Sequence, residues 1–287
     1  MKNKKKGIVF ILGAAFFFAL MNLFVKLGGN VPTMQKAFFR NIVASVAALF
    51  VVLRQRGCIA SIKSNWGGLL ARSGFGLFGI VCNFYAIDRL NISDASLLNK
   101  LSPFFAVIFS ILILKEVATG RDWLYVLVAF GGALLVIKPS FSMEVVPALI
   151  GALGGMCAGI AYAFVRKLGN NGVKGPAIVL FFSTFSSLVL LPNLIFNFVP
   201  MTPQQTLYLC LAGASAAGGQ FCITAAYKAA PAKEISVFDY TQVIIAAVLG
   251  FIFLQQVPDW LSILGYLVIF TVAILKWRNN LNEQPKT

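Results

Sequence analysis

Three ionisable side chains stand well inside long apolar runs of this sequence: Arg40, Lys100 and Asp239. An ionised group held at membrane depth costs at least about 2.5–3.5 kcal/mol on insertion scales, so each needs a physical reason to be there. Arg40 offers a planar fork that holds a carboxylate or phosphate through two hydrogen bonds. Its simpler role is a guanidinium snorkelling to the headgroups. Lys100 sits beside Asn99 and ahead of Pro103, whose missing N–H frees a carbonyl about a turn earlier and can bend a helix. Two cations against one anion favour an anionic or zwitterionic ligand. An amino-acid-like solute would meet Arg40 or Lys100 through its carboxylate and Asp239 through its ammonium group. Tyr240, next to Asp239, is an uncharged candidate for the same wall, as are Asn22, Tyr162, Asn83, Tyr85 and Gln220. For these uncharged groups the competing role is a hydrogen bond that merely joins two helices.

Composition dictates what must position these groups. The chain has 287 residues, 59% of them hydrophobic and only 11% charged, with a mean hydropathy of +0.85. Soluble domains carry about 25% charged residues, and disorder requires low hydrophobicity, so a soluble enzyme and a disordered chain are both excluded. The formal net charge of +15 does not indicate nucleic acid. The Lys and Arg residues fall in short gaps between apolar runs, not on a water-exposed stripe. Histidine is absent and the five cysteines lack CxxC spacing, so neither a metal site nor a disulfide framework is expected. With no glycine-rich phosphate loop, an ATP-driven pump is unsupported. No cofactor and no enzymatic site is expected.

Apolar stretches of spanning length predict an all-α integral membrane protein of ten transmembrane helices. They lie near 7–27, 37–53, 66–87, 95–114 and 123–137, then near 146–165, 176–199, 206–227, 235–254 and 260–277. The first follows a basic stretch but continues to spanning length, so it reads as an attached helix and not a cleaved signal. With the N-terminus in the cytoplasm, eighteen Lys and Arg fall on that side and four on the other. Arg72 and Lys276 belong to the eighteen in this count, and Asp239 is the one acid expected at depth. The asymmetry places both termini in the cytoplasm, beneath an inner or plasma membrane.

A shift of 140 residues aligns the chain with itself. It pairs Phe24, Val25, Gly29 and Asn30 with the identical Phe164, Val165, Gly169 and Asn170, and Lys26 with Arg166. It also pairs Ser96, Asn99, Pro103, Ala106 and Ser110 with Ser236, Asp239, Val243, Ala246 and Gly250. Spacings of three and four put each set on one helix face, small or polar as a wall facing protein or a cavity would be. The same shift equates Asn22 with Tyr162, and the small-residue run 72–79 with 212–219. Five spans per half is an odd number, so the halves, 1–140 and 141–287, are expected to be inverted repeats. A site between such halves can open to either side in turn. Lys100 and Asp239 lie on either side of the repeat axis and are expected to pair across it. The pair is either a fixed bridge or a gate opened by substrate or by a proton, the candidate coupling ion. Desolvation and a neighbouring ammonium act on the aspartate's proton in opposite directions, which leaves both roles open.

The chain resembles the drug/metabolite transporter superfamily, specifically its ten-helix EamA-like transporters. The resemblance covers nearly the whole chain and rests on the basic N-terminus, on PTMQKAFFRNIVA at 32–44 and on ASLLNKLSPFFAVIFSILILKE at 95–116. The second-half counterpart at 229–256 departs from the family pattern, with Gln256 in place of the usual Glu and Val243 in place of a frequent Pro. The resemblance implies secondary transport of small metabolites through a central cavity, with helices five and ten at the periphery in a homodimer contact. It does not imply a substrate. Export of amino-acid-like solutes is the expected activity. A flippase for lipids or lipid carriers, with Arg40 on a headgroup phosphate, is the alternative. A scaffold or receptor would leave the polar stripes without purpose.

Overall fold

The computed structural model describes residues 2–55, 57–63, 65–89, 98–137, 145–255 and 257–282. Regular structure among them is entirely helical. The first half contains α1 (Lys2–Leu27), α2 (Thr33–Arg54), the short α3 (Cys58–Lys63), α4 (Trp66–Arg89), α5 (Ser102–Leu114) and α6 (Gly120–Ile137). The second contains α7 (Val145–Asn170), α8 (Gly175–Phe196), α9 (Pro203–Ala229), α10 (Ala232–Ile235), α11 (Thr241–Leu254) and α12 (Trp260–Asn282). A 3-10 turn, Ser236–Tyr240, joins α10 to α11. Among the described residues, eight segments are long and apolar enough to cross a membrane: α1, α2, α6, α7, α8, α9, the run from α10 through α11, and α12. With α4 and the shorter apolar α5 they occupy the ten expected positions. The exposed faces carry Phe50, Leu53, Leu188, Phe251, Leu267 and Phe270, as a lipid-facing surface requires.

Two expected spans differ from the prediction. Span four was expected to run unbroken from 95 to 114, yet α5 begins at Ser102 and a turn at Lys100–Leu101 separates it from Leu98 and Asn99. Pro103 therefore stands in the first turn of α5, where its missing N–H leaves no bond unmade, and does not bend a continuous helix. Ser96 lies outside the described residues. Span nine is interrupted at the equivalent place by the 3-10 turn.

Contacts fix the direction of each half. Lys4 in α1 pairs with Glu234 in α10, and Glu234 and Asp122 both face Lys276 near the end of α12. The starts of α1 and α6 and the last turns of α12 thus share one end, here called the near end. Arg166, in the last turns of α7, meets Glu116 just before α6, so α7 runs toward the near end while α1 runs away from it. The two five-span halves are inverted. Packing repeats accordingly: α1 lies on α9 as α4 lies on α7, and α11 lies on α1 as α5 lies on α7. The same relation appears in the backbone. Lys115 (φ 54°, ψ 31°) and Gln255 (φ 54°, ψ 29°) cap α5 and α11 in the left-handed region, 140 positions apart.

Small residues set the close approaches. α6 and α12, spans five and ten, pack on each other within the chain, and a Cβ at Gly265 would stand 2.5 Å from the Gly132 carbonyl oxygen. On α9, a Cβ at Gly213 would meet Val43 at 2.6 Å and one at Gly219 would meet Phe18 at 2.5 Å. The run at 212–219 therefore serves tight packing. Gly265→Leu should cost about 1–3 kcal/mol, as overpacking of a filled interface does. Chemical unfolding in detergent would show it, and an unchanged midpoint would mean that the α6–α12 contact is dispensable.

Candidate functional site

The breaks in spans four and nine bring Lys100 and Asp239 together. The Lys100 ammonium donates to the Gln242 side-chain oxygen at 2.7 Å, to Asp239 Oδ2 at 3.3 Å and to the Asp239 carbonyl at 3.4 Å. In return Tyr240 Oη donates to the Lys100 carbonyl at 3.1 Å. Thr241 Oγ1 closes the 3-10 turn onto the Phe238 carbonyl at 2.7 Å. An interrupted helix frees carbonyls that water cannot reach, and here side chains across the repeat axis satisfy them. Lys100 and Tyr240 are themselves 140 positions apart, so the two halves meet through equivalent residues. Discontinuous helices at such an interface are where inverted-repeat carriers place their sites.

Around this pair lies a second layer. Tyr162 on α7 stacks on Tyr227 of α9 with ring centroids 4.9 Å apart, and Tyr227 shares a 3.4 Å hydrogen bond with Ser236. Asp239, Arg72 and Arg40 are all within electrostatic reach of Tyr162. Arg40 on α2 is half-buried, with its Nε sealed from solvent.

Arg72 is the residue that sequence reasoning missed. Charge counting assigned it to the cytoplasmic surface, but it is only 2% exposed, two turns inside α4. Its Nη2 donates to the Gln220 side-chain oxygen at 3.1 Å, and its guanidinium lies 3.7 Å above the Phe182 ring. A signal was present: the expected third span already enclosed position 72. Lys276 also departs from a loop charge, since it is buried against Asp122 at 2.6 Å. Asp122 and Glu234 are buried acids that the apolar-run criterion left outside the spans.

Other candidates are dispersed. Asn99 is half-buried beside Lys100, and Asn83 and Tyr85 are half-buried late in α4, where Arg89 lies 5.5 Å above the Tyr85 ring. Asn22 continues the buried Ile11–Ala15–Phe18 line of α1 but is itself exposed. Its neighbour Leu23 is buried, so Asn22 stands on the outward side of that turn.

The two ends of the bundle differ. At the near end, Arg166 Nε reaches Glu116 at 3.0 Å and its Nη1 reaches the Lys228 carbonyl at 3.0 Å, tying α5 to α7 and α9. Pro103, Ala106 and Ser110 on α5 are buried, and a Cβ at Gly159 of α7 would stand 2.5 Å from Phe105. Toward the far end, Val243 and Ala246, the equivalents on α11, are only half-buried. α11 is therefore less buried toward the far end than α5 is toward the near end.

A family model, the EamA-like transporter family, matches residues 5–138 and again 146–277. The chain belongs to this family. The pseudopaline exporter CntI of Pseudomonas aeruginosa is 32% identical over 273 residues, covering 94% of this chain and 95% of that protein. The S-adenosylmethionine uptake transporter of Rickettsia prowazekii is 22% identical, covering 96% of this chain and 93% of its own. A solved crystal structure shares the fold with a TM-score of 0.85 at 15% identity, covering 98% of this chain and 99% of the other. This EamA-family chain is a multi-pass membrane protein and a small-molecule transporter, not an enzyme.

Proposed function

We propose that this EamA-family protein is a secondary transporter that exports amino-acid-like solutes across the cytoplasmic membrane by alternating access. The observation that carries the reading is the pair of interrupted helices, which sets Lys100 and Asp239 between two inverted halves. Residues 1–140 and 141–287 form the repeats, and the positive-inside asymmetry places the near end in the cytoplasm. The described state is then closed toward the cytoplasm, through Arg166–Glu116, and less tightly packed toward the outside. A solute carboxylate is held by Arg40 or Lys100, and an ammonium group competes with Lys100 for Asp239. Asn99, Tyr162, Gln220 and Tyr240 complete the wall, and Asn22, Asn83 and Tyr85 lie along the route to the far end. Export is the activity for which the P. aeruginosa relative is named, whereas the R. prowazekii relative is named for uptake.

The test is flux of labelled amino acids into proteoliposomes, with and without a pH gradient. Accumulation that follows the gradient in the wild type and disappears in Asp239→Asn is the expected result, with the proton as coupling ion. Flux indifferent to the gradient would remove the proton from the mechanism. No flux of any amino acid through folded protein would overturn the substrate reading and favour a lipid cargo.

A further inference from the structure

The interior holds more positive charge than its own residues neutralise. Arg40, Arg72 and Lys100 stand against Asp239 among the described residues, and Asp239 is already engaged by Lys100. Asp122, Glu116 and Glu234, the other buried or half-buried acids described, are bound to Lys276, Arg166 and Lys4 at the near end. Arg40 and Arg72 are therefore left without an acid among the described residues. Gln220 supplies Arg72 with only a neutral oxygen, and Nε of Arg72 and Nε of Arg40 have no partner among the described residues. An uncompensated charge in such surroundings is expensive, and a pair of like charges more so. The fold nevertheless makes room for it: a Cβ at Gly76 would collide with Nη1 of Arg72 and press on Phe182 at 2.9 Å.

We infer that Arg40 and Arg72 together form a receptor for a solute with two carboxylates, so that the transported molecule is a net anion. The inference rests on the transport reading and narrows its substrate class. Each guanidinium can take one carboxylate in a two-pronged contact. The helices come from opposite ends: α2 starts at the far end and α4 at the near end, with Arg40 and Arg72 each about two turns in. Their side chains thus approach the interior from two sides, which suits two carboxylates separated along one molecule better than one compact phosphate. The face of Phe182 keeps the Arg72 guanidinium plane fixed for that contact.

The experiment is competition in proteoliposomes and thermal stabilisation of the purified full-length protein, using leucine, lysine, glutamate and citrate as probes. Glutamate and citrate are expected to bind at least tenfold more tightly than leucine, with lysine weakest. Arg72→Gln and Arg40→Gln should each erase that preference, with glutamate and citrate falling at least tenfold, to no tighter than leucine in the same variant. Arg72→Lys, which keeps the charge but not the fork, should give an intermediate preference. It also serves if Arg72→Gln fails to fold. Leucine binding as tightly as glutamate would overturn this inference and leave amino-acid transport standing. If none of the four probes binds folded wild-type protein, the amino-acid-like substrate reading itself fails, and this inference with it.

Discussion

Lys100→Met is expected to destabilise the protein by about 3–5 kcal/mol, because it leaves the Asp239 carboxylate buried without its ammonium partner. The Gln242 amide loses its donor as well, and the Asp239 carbonyl loses one of its contacts. Adding Asp239→Asn should return most of that loss, since a neutral buried pair carries no unbalanced charge. Unfolding midpoints of the two single variants and the double would give the coupling energy through a double-mutant cycle. Transport separates structure from function in the same set. If the pair is a gate, the double variant is stable but does not transport. A stable double variant with wild-type flux would reduce Lys100–Asp239 to a structural bridge.

The second large effect concerns the closed end. Glu116→Gln removes a charged hydrogen bond, worth about 1.5–3 kcal/mol, that exists only while α5 and α7 are together. The ratio of near-end-closed to near-end-open protein should fall roughly ten- to hundredfold. A cysteine at Ser110, buried on α5 beside this closure, would report it as faster maleimide labelling from the near-end side. Unchanged labelling would mean that Arg166–Glu116 does not hold the closure. Under the 140-residue shift the counterpart positions in sequence are Lys26 and Gln256, the latter outside the described residues, and the second carries a neutral amide in place of an acid. Gln256→Glu should strengthen the far end, and the expected sign is slower labelling of a cysteine placed at the exposed Asn22.

Much of the architecture was legible because it depends on local or periodic quantities. Ten spans follow from the length of apolar runs against the thickness of a bilayer. The inverted repeat was visible because paired positions such as Lys26/Arg166 and Asn99/Asp239 keep one offset along the chain. The meeting of Lys100 with Asp239 followed from that offset, since residues near equivalent positions approach a common axis. The interruption of spans four and nine was hidden, because an apolar run reads the same whether its backbone is one helix or a helix and a 3-10 turn.

Arg72 marks the boundary between the two kinds of information. By itself the chain determined that cations greatly outnumber acids and that most of them belong at one side of a membrane. Charge counting works on populations and has no means of telling which cation turns inward. Only the tertiary structure decided that Arg72 lies over Phe182 and against Gln220, while Arg54, likewise counted to the cytoplasmic side, lies exposed over Phe50. The same holds for the unequal ends of the bundle. A repeat in sequence relates the halves evenly, whereas in the fold α5 packs more closely on α7 than α11 does on α1.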